Sequence, residues 1–231
     1  MRDQIGSNQV SHVTDPSQGM LQGEWTVFGL ARGGLVTDEY KETYLMNVTE
    51  ILDKNKGRLD GDRATEYTHT VIMLSALGID PKNVNGYDLL QPLADFDRVT
   101  EEGTSGALWA LLALDTRNYD VPLLSSGDGA NQTTREKIVQ YILDNESSQG
   151  GWSTLSNGLT NVDLTAMVIQ ALAPYYSTDE PVREAVDRAL ETLSGLQDTD
   201  GDFGSPESNA QVIVALNRLG IPLDEIGRAH V

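Results

Sequence analysis

Gln149-Gly150-Gly151-Trp152, followed by Asn161-Val162-Asp163-Leu164-Thr165-Ala166-Met167-Val168-Ile169-Gln170-Ala171-Leu172, is the stretch that decides the fold. A glycine-rich aromatic loop feeds a helix rich in Ala and Leu. The arrangement returns as Gln197-Asp198-Thr199-Asp200-Gly201-Asp202-Phe203-Gly204, then Asn209-Ala210-Gln211-Val212-Ile213-Val214-Ala215-Leu216. A unit that recurs along a chain is one supersecondary element that cannot bury its apolar face alone and must stack on its neighbours.

Working outward, apolar residues at i, i+3, i+4 and i+7 mark five segments of this kind, at 24–35, 65–79, 104–115, 162–175 and 208–221. Their equivalent ends, Gly34, Gly78, Asp115, Ala173 and Gly220, are 44, 37, 58 and 47 residues apart. That irregular spacing suits a two-helix repeat rather than a coiled coil or a propeller. More polar amphipathic segments alternate with them at 38–56, 87–97, 133–145 and 181–196. The last of these opens with Thr178 as its cap and Pro181 in its first turn. Ala-rich helices can approach closely as an inner layer, with the amphipathic ones covering them.

Strand signals are scarce, so the expected fold is all-α: an incomplete α/α toroid of inner and outer helices, about five pairs, over residues 20–225. Residues 1–19, rich in Ser, Gln, Asn and Asp, read as a disordered lead. The tail Ile226-Gly227-Arg228-Ala229-His230-Val231 has no helical or capping logic and reads as one frame of a sequencing adapter. The natural chain is therefore expected to continue beyond Glu225.

Charge narrows the partners. Against 16 Lys and Arg stand 35 Asp and Glu, a formal charge of −19. Such a surface repels phosphate backbones and anionic lipid, which disfavours nucleic acid and the inner membrane leaflet. Cysteine is absent, so disulfides, thiolate metal sites and cysteine nucleophiles are all excluded. No run approaches the roughly 20 apolar residues of a spanning helix, so membrane insertion is not expected. An acidic, solvated chain of this kind suits an extracellular protein, although many cytosolic bacterial proteins are also acidic; if the protein is exported, its signal is not in residues 1–19.

The glutamine-glycine-aromatic loops with paired helices resemble the terpene cyclase and protein prenyltransferase toroid superfamily. The chain looks most like the prenyltransferase-like toroid domains of clostridial-type secreted or surface proteins, in segments 65–81, 86–90, 107–115, 162–175 and 210–221. Val162-Asp163-Leu164-Thr165-Ala166-Met167 is also similar to the toroid of vitamin B12 carriers. The resemblance implies the fold over about residues 20–224, but the superfamily's chemistry transfers poorly. Zinc prenyltransferases require Asp, Cys and His ligands, and thioester toroids require a cysteine that this chain lacks. Alkene-protonating cyclases use an Asp-x-Asp-Asp acid, whereas Asp198-Thr199-Asp200-Gly201-Asp202 has no adjacent aspartates.

The candidate residues follow from this frame. Glu66, Tyr67, His69, Thr104, Trp109, Asp163 and Gln211 fall near the starts of the inner helices, at the expected cavity mouth, where free N–H groups can hold polar ligands. Each also has a plainer reading as an interhelix hydrogen-bonding or core residue, and Glu66 and Asp163 suit helix N-termini in any case. Gln149, Gly151, Trp152, Gln197, Gly201 and Phe203 are read as structural: the rings wedge between helices, Gln caps a helix end, and glycine supplies the tight turn. Asp198, Asp200 and Asp202 alternate like a calcium loop, but Phe203 and Asn209 stand where an EF-hand needs Gly and Glu. No metal site and no cofactor are predicted.

The favoured function is a non-catalytic domain of a larger secreted or surface protein, binding a small molecule or protein partner at the cavity mouth. The alternatives are an isoprenoid enzyme of the cyclase or prenyltransferase type and a structural spacer. An open toroid would also expose inner-helix surface, which favours self-association.

Overall fold

The computed structural model describes residues 20–59, 62–125, 131–154 and 158–222, with side chains from residue 25 onward. The expected lead and tail lie outside the described residues. All regular structure among the described residues is helical. The α-helices are α1 (Met20–Gly33), α2 (Asp38–Lys54), α3 (Ala64–Ala76), α4 (Phe96–Thr100), α5 (Gly103–Asp115), α6 (Arg135–Asp144), α7 (Val162–Leu172), α8 (Glu180–Leu196) and α9 (Pro206–Leu219). Short 3₁₀ turns at Gln91–Ala94 and Ala173–Tyr175 accompany them. The described residues up to 102, with those of 112–134, form one compact unit, and those of 103–111 with those from 135 onward another, the division running through α5.

In the first unit α1 packs on α3. Ten of the 13 residues of α3 are buried, polar ones among them. Its polar residues survive burial by back-bonding: Thr70 and Ser75 donate to the carbonyls of Glu66 and Val71 (2.8 and 2.6 Å). α2 buries only the stripe Tyr44, Val48 and Leu52.

The expected helix over 87–97 is replaced by a different structure, for a local reason. Asn85 and Gly86 both take left-handed backbone (φ 52° and 86°), and Val84 and Tyr87 exchange two backbone hydrogen bonds (2.9 and 3.0 Å). This is a tight hairpin turn of the Asn-Gly kind. Asp88 then accepts from the Leu90 N–H, Pro92 sits in the 3₁₀ turn, and Asp95 caps the separate helix α4 through the Asp97 N–H.

In the second unit α7 packs on both α8 and α9, and α6 packs on α8. α8 buries Val182, Ala185, Val186, Ala189 and Leu193, spaced for one helix face. Its cap is Asp179, which accepts from the Val182 N–H, rather than Thr178. Thr178 is held in the preceding turn, where both its N–H and its hydroxyl donate to the Tyr175 carbonyl.

The two quoted loops share one hydrogen-bond plan. The Ser147 N–H donates to the Gly151 carbonyl and the Gly150 N–H to Ser147, while Asp198 with Asp202 and Gly201 with Asp198 repeat that pair. The Trp152 N–H then donates to the Thr165 hydroxyl, as the Phe203 N–H donates to the Asn209 side chain. Thr165 and Asn209 are each the fourth residue of the helix that follows. Trp152 is fully buried, its indole N–H donating to the Ile142 carbonyl (2.7 Å), whereas Phe203 is partly exposed. Gln197 stands at the C-cap of α8, its side-chain amide closing the loop on Gly201, whereas Gln149 offers its carbonyl to the Thr192 hydroxyl.

Five helices finish in the same motif, in which the chain turns left-handed and two N–H groups reach back. Gly34, Gly78 and Gly220 hold the left-handed place after α1, α3 and α9, and Asn118 rather than Asp115 marks the turn after α5. After α2 the residue is Lys56 (φ 55°), with its N–H on the Asp53 carbonyl and the Gly57 N–H on Leu52 (2.7 Å).

Candidate functional site

The first unit carries a polar cluster where the chain enters α3. Leu59 is buried ahead of the helix, and its N–H donates to the Tyr67 hydroxyl (3.2 Å). Tyr67 in turn donates to Oδ1 of Asp62 (2.9 Å). Arg98, on α4, donates through Nη2 to the carbonyl and to Oδ1 of Asp62, both at 2.7 Å. The same guanidinium lies 5.1 Å from the centre of the Tyr67 ring, a cation–π arrangement. Its Nε is closed off from solvent and has no acceptor among the described residues.

Electrostatics follow from these contacts. Burial opposes ionisation of Asp62, but the Arg98 and Tyr67 hydrogen bonds and the charges of Arg98 and Arg58 outweigh it, holding the carboxyl below its usual range. Burial raises the Tyr67 hydroxyl, and its bond to Asp62 adds to this against the opposing pull of the Leu59 N–H and of Arg98.

One turn further on, Arg63 bonds the buried Glu66 carboxylate (2.8 Å) and approaches Glu102 (3.6 Å). Glu102 also accepts from the Thr65 N–H and hydroxyl. Glu66 is thus locked into the helix entrance.

A cleft of about 420 Å³ opens beside this cluster, walled by Lys56, Arg58, Asp62, Tyr67, Tyr87 and Arg98 together with backbone at Gly57 and Gly86. It is largely open to solvent rather than an enclosed pocket. The Tyr87 ring lies on Gly57 so closely that a Cβ there would come within 2.7 Å of it, so glycine is required on both backbone and packing grounds (φ 87°). The Asn85 amide, meanwhile, ties the hairpin to Asp53 of α2 at 3.1 Å. Of four non-glycine residues with left-handed backbone among those described, Lys56 and Asp62 line the cleft and Asn85 adjoins it. Such conformations cost on the order of 1–3 kcal/mol each and collect at functional sites.

Of the residues singled out from sequence, Tyr67 lines this cleft and Glu66 lies in the adjoining ion-pair group. His69, two residues on, packs its ring against Trp25 of α1 at 5.5 Å. In the second unit Thr104 and Trp109 are half-buried on α5. Asp163 stands in the first turn of α7 with Oδ1 buried and lacking a hydrogen-bond partner among the described residues. Gln211 receives the Gln170 amide at both its side-chain oxygen (2.9 Å) and its carbonyl (3.1 Å), joining α9 to α7.

Asp198 and Asp202 are occupied by their own loop. Oδ1 of Asp198 accepts from the N–H groups of Asp200 and Asp202, and Asp202 accepts from Gly204. Among the described residues no group of three acidic or histidine side chains is placed to hold a metal ion.

Sequence reasoning overlooked Lys56, Arg58, Asp62, Tyr87 and Arg98. A signal was present: Lys54, Lys56, Arg58 and Arg63 put four cations into ten residues of a chain with 16 in 231.

No known protein family matches this chain, and neither a characterised protein nor a solved structure is similar to it.

Proposed function

We propose that the chain is an α/α-toroid domain of the prenyltransferase-like kind whose role is to bind a ligand without transforming it, as part of a larger secreted or surface bacterial protein. The toroid reading is supported by alternate helices packing on one another within each unit (α1 on α3, α7 on α9, α6 on α8) and by the two loops with one hydrogen-bond plan. The acidic surface supports an extracellular setting.

The observation that carries the binding reading is the cleft beside Tyr67. Its inner polar groups are already joined to one another: the Tyr67 hydroxyl is held between the Leu59 N–H and Asp62, and Asp62 is held by Arg98. Groups fixed this way give a rigid wall with preset charge, which favours recognition. A general base would instead need to be within reach of the proton it removes.

The test is thermal denaturation with a panel of cobalamin, isoprenoid diphosphates, organic acids and sugars, each mixture then being analysed by liquid chromatography. A raised melting temperature with the compound recovered unchanged is the expected result. Conversion of the compound would establish an enzyme, and no shift with any compound would leave a structural spacer.

A further inference from the structure

We infer that the cleft between Gly57 and the Asn85-Gly86 turn is an oxyanion site, taking the phosphate or carboxylate group of a small ligand. This rests on the binding reading above and names its ligand class. The lining side chains include three cations, Lys56, Arg58 and Arg98, against two carboxylates, Asp62 and Asp88. An excess of positive charge in a chain of formal charge −19 is a local reversal of the surface. It draws small anions to this place and no other cleft wall need be invoked.

The cations are also uncommitted to different degrees. The Lys56 side chain has no ion-pair or hydrogen-bond partner among the described residues. Arg58 reaches Asp62 only at 3.9 Å and is 69% exposed. Arg98 commits Nη2 to Asp62 and stacks on Tyr67, which fixes the plane of its guanidinium; its Nε is sealed from solvent and takes no part. A planar, oriented guanidinium with free N–H groups is the group that recognises carboxylate and phosphate, with a lysine ammonium adding charge.

A second observation is independent of charge. The helix-end position held by glycine after α1, α3 and α9, and by Asn118 after α5, holds Lys56 after α2. Left-handed backbone disfavours a Cβ, so local structure would choose glycine here. The departure puts an ammonium on the cleft wall. Places where local rules are broken without local gain are expected at sites of function.

The test is a series of ¹H–¹⁵N spectra of the intact chain titrated with sodium phosphate, sodium acetate or sodium chloride at constant ionic strength. Saturable shifts are expected at the Gly57, Gly86 and Tyr87 amides, with phosphate or acetate but not chloride. Tighter phosphate assigns a phosphate ligand, and tighter acetate a carboxylate. Lys56→Gln and Arg58→Gln should each weaken binding by about 3- to 10-fold, the loss of one charge-assisted contact. Lys82→Gln, an exposed cation away from the cleft, should leave it unchanged. Absence of saturation, equal shifts with chloride, or Lys56→Gln binding as tightly as the parent would overturn the inference. A neutral compound that raises the melting temperature while anions fail would sink the anion assignment alone; an anion that binds here and is converted would instead sink the non-catalytic reading.

Discussion

Lys56 after α2 and Gly78 after α3 occupy the same left-handed place (φ 55° and 74°) in the same pair of reversed hydrogen bonds. Glycine meets that geometry without steric cost, whereas a lysine must be held there by its surroundings. The lysine side chain stands on the wall of the Tyr67 cleft. Stability and binding therefore pull on this residue in opposite directions.

Lys56→Gly should stabilise the fold by about 0.5–1 kcal/mol, since relief of left-handed strain exceeds the entropy given to the unfolded chain. The same variant should bind oxyanions more weakly than the parent. Urea denaturation and anion titration of one sample check both, and a destabilised variant would show that Lys56 is held by contacts of its own.

Tyr67→Phe keeps the buried ring but removes the hydroxyl between the Leu59 N–H and Asp62. A buried donor left without an acceptor costs about 1–3 kcal/mol. Calorimetry should show that loss with the helical circular-dichroism signature retained. An unchanged melting temperature would mean that water replaces the hydroxyl and that the cluster is looser than described.

The Asp62 and Tyr67 shifts predict losses of stability at both ends of the pH range. Asp62 is lowered in the folded state, so its contribution is present above the unfolded value of about 3.9 and is lost as pH falls through the folded one. Tyr67 is raised, so its contribution is complete below about pH 10 and is lost as pH rises through the folded value. Asp62 is 41% exposed, so the acid effect is screened and modest. Stability measured against pH should show the acid limb flattened in Asp62→Asn and the alkaline limb flattened in Tyr67→Phe.

Trp152 and Gly151 test the repeat. Trp152→Ala empties a fully buried site and should cost about 3–5 kcal/mol. Trp152→Phe should cost less but leave the Ile142 carbonyl unmet. Gly151→Ala combines left-handed backbone (φ 72°) with a Cβ placed 2.8 Å from Thr160 and Thr165, and should cost about 1–3 kcal/mol. Gly204→Ala, where the space is open, should cost less; equal losses at both glycines would show that conformation alone matters.

What could be read from sequence divides along physical lines. Helices α3, α5 and α7 announce themselves because apolar periodicity and burial agree over three turns or more; α9 follows from its periodicity although Ile213 and Val214 are exposed, and Trp152 follows from its loop. The 87–97 segment misleads because Leu89, Leu90 and Leu93 have helical spacing while Asn85-Gly86, Asp88 and Pro92 impose a turn, and at this length turn chemistry prevails. The cleft is assembled from residues 56–58, Asp62, Tyr67, the 86–92 turn and Arg98, so its geometry depends on tertiary packing. Only the run of cations at 54–63 foreshadows it, and that run begins at the end of α2 rather than at a helix start.

The most direct test of ligand binding at the Tyr67 cleft is native mass spectrometry of the purified chain, alone and with the same panel of cobalamin, isoprenoid diphosphates and organic acids. One anionic ligand per chain is expected, displaced by millimolar phosphate and lost when Lys56→Gln and Arg58→Gln are combined. A bare mass under every condition, or an adduct that the double variant retains, would contradict the account.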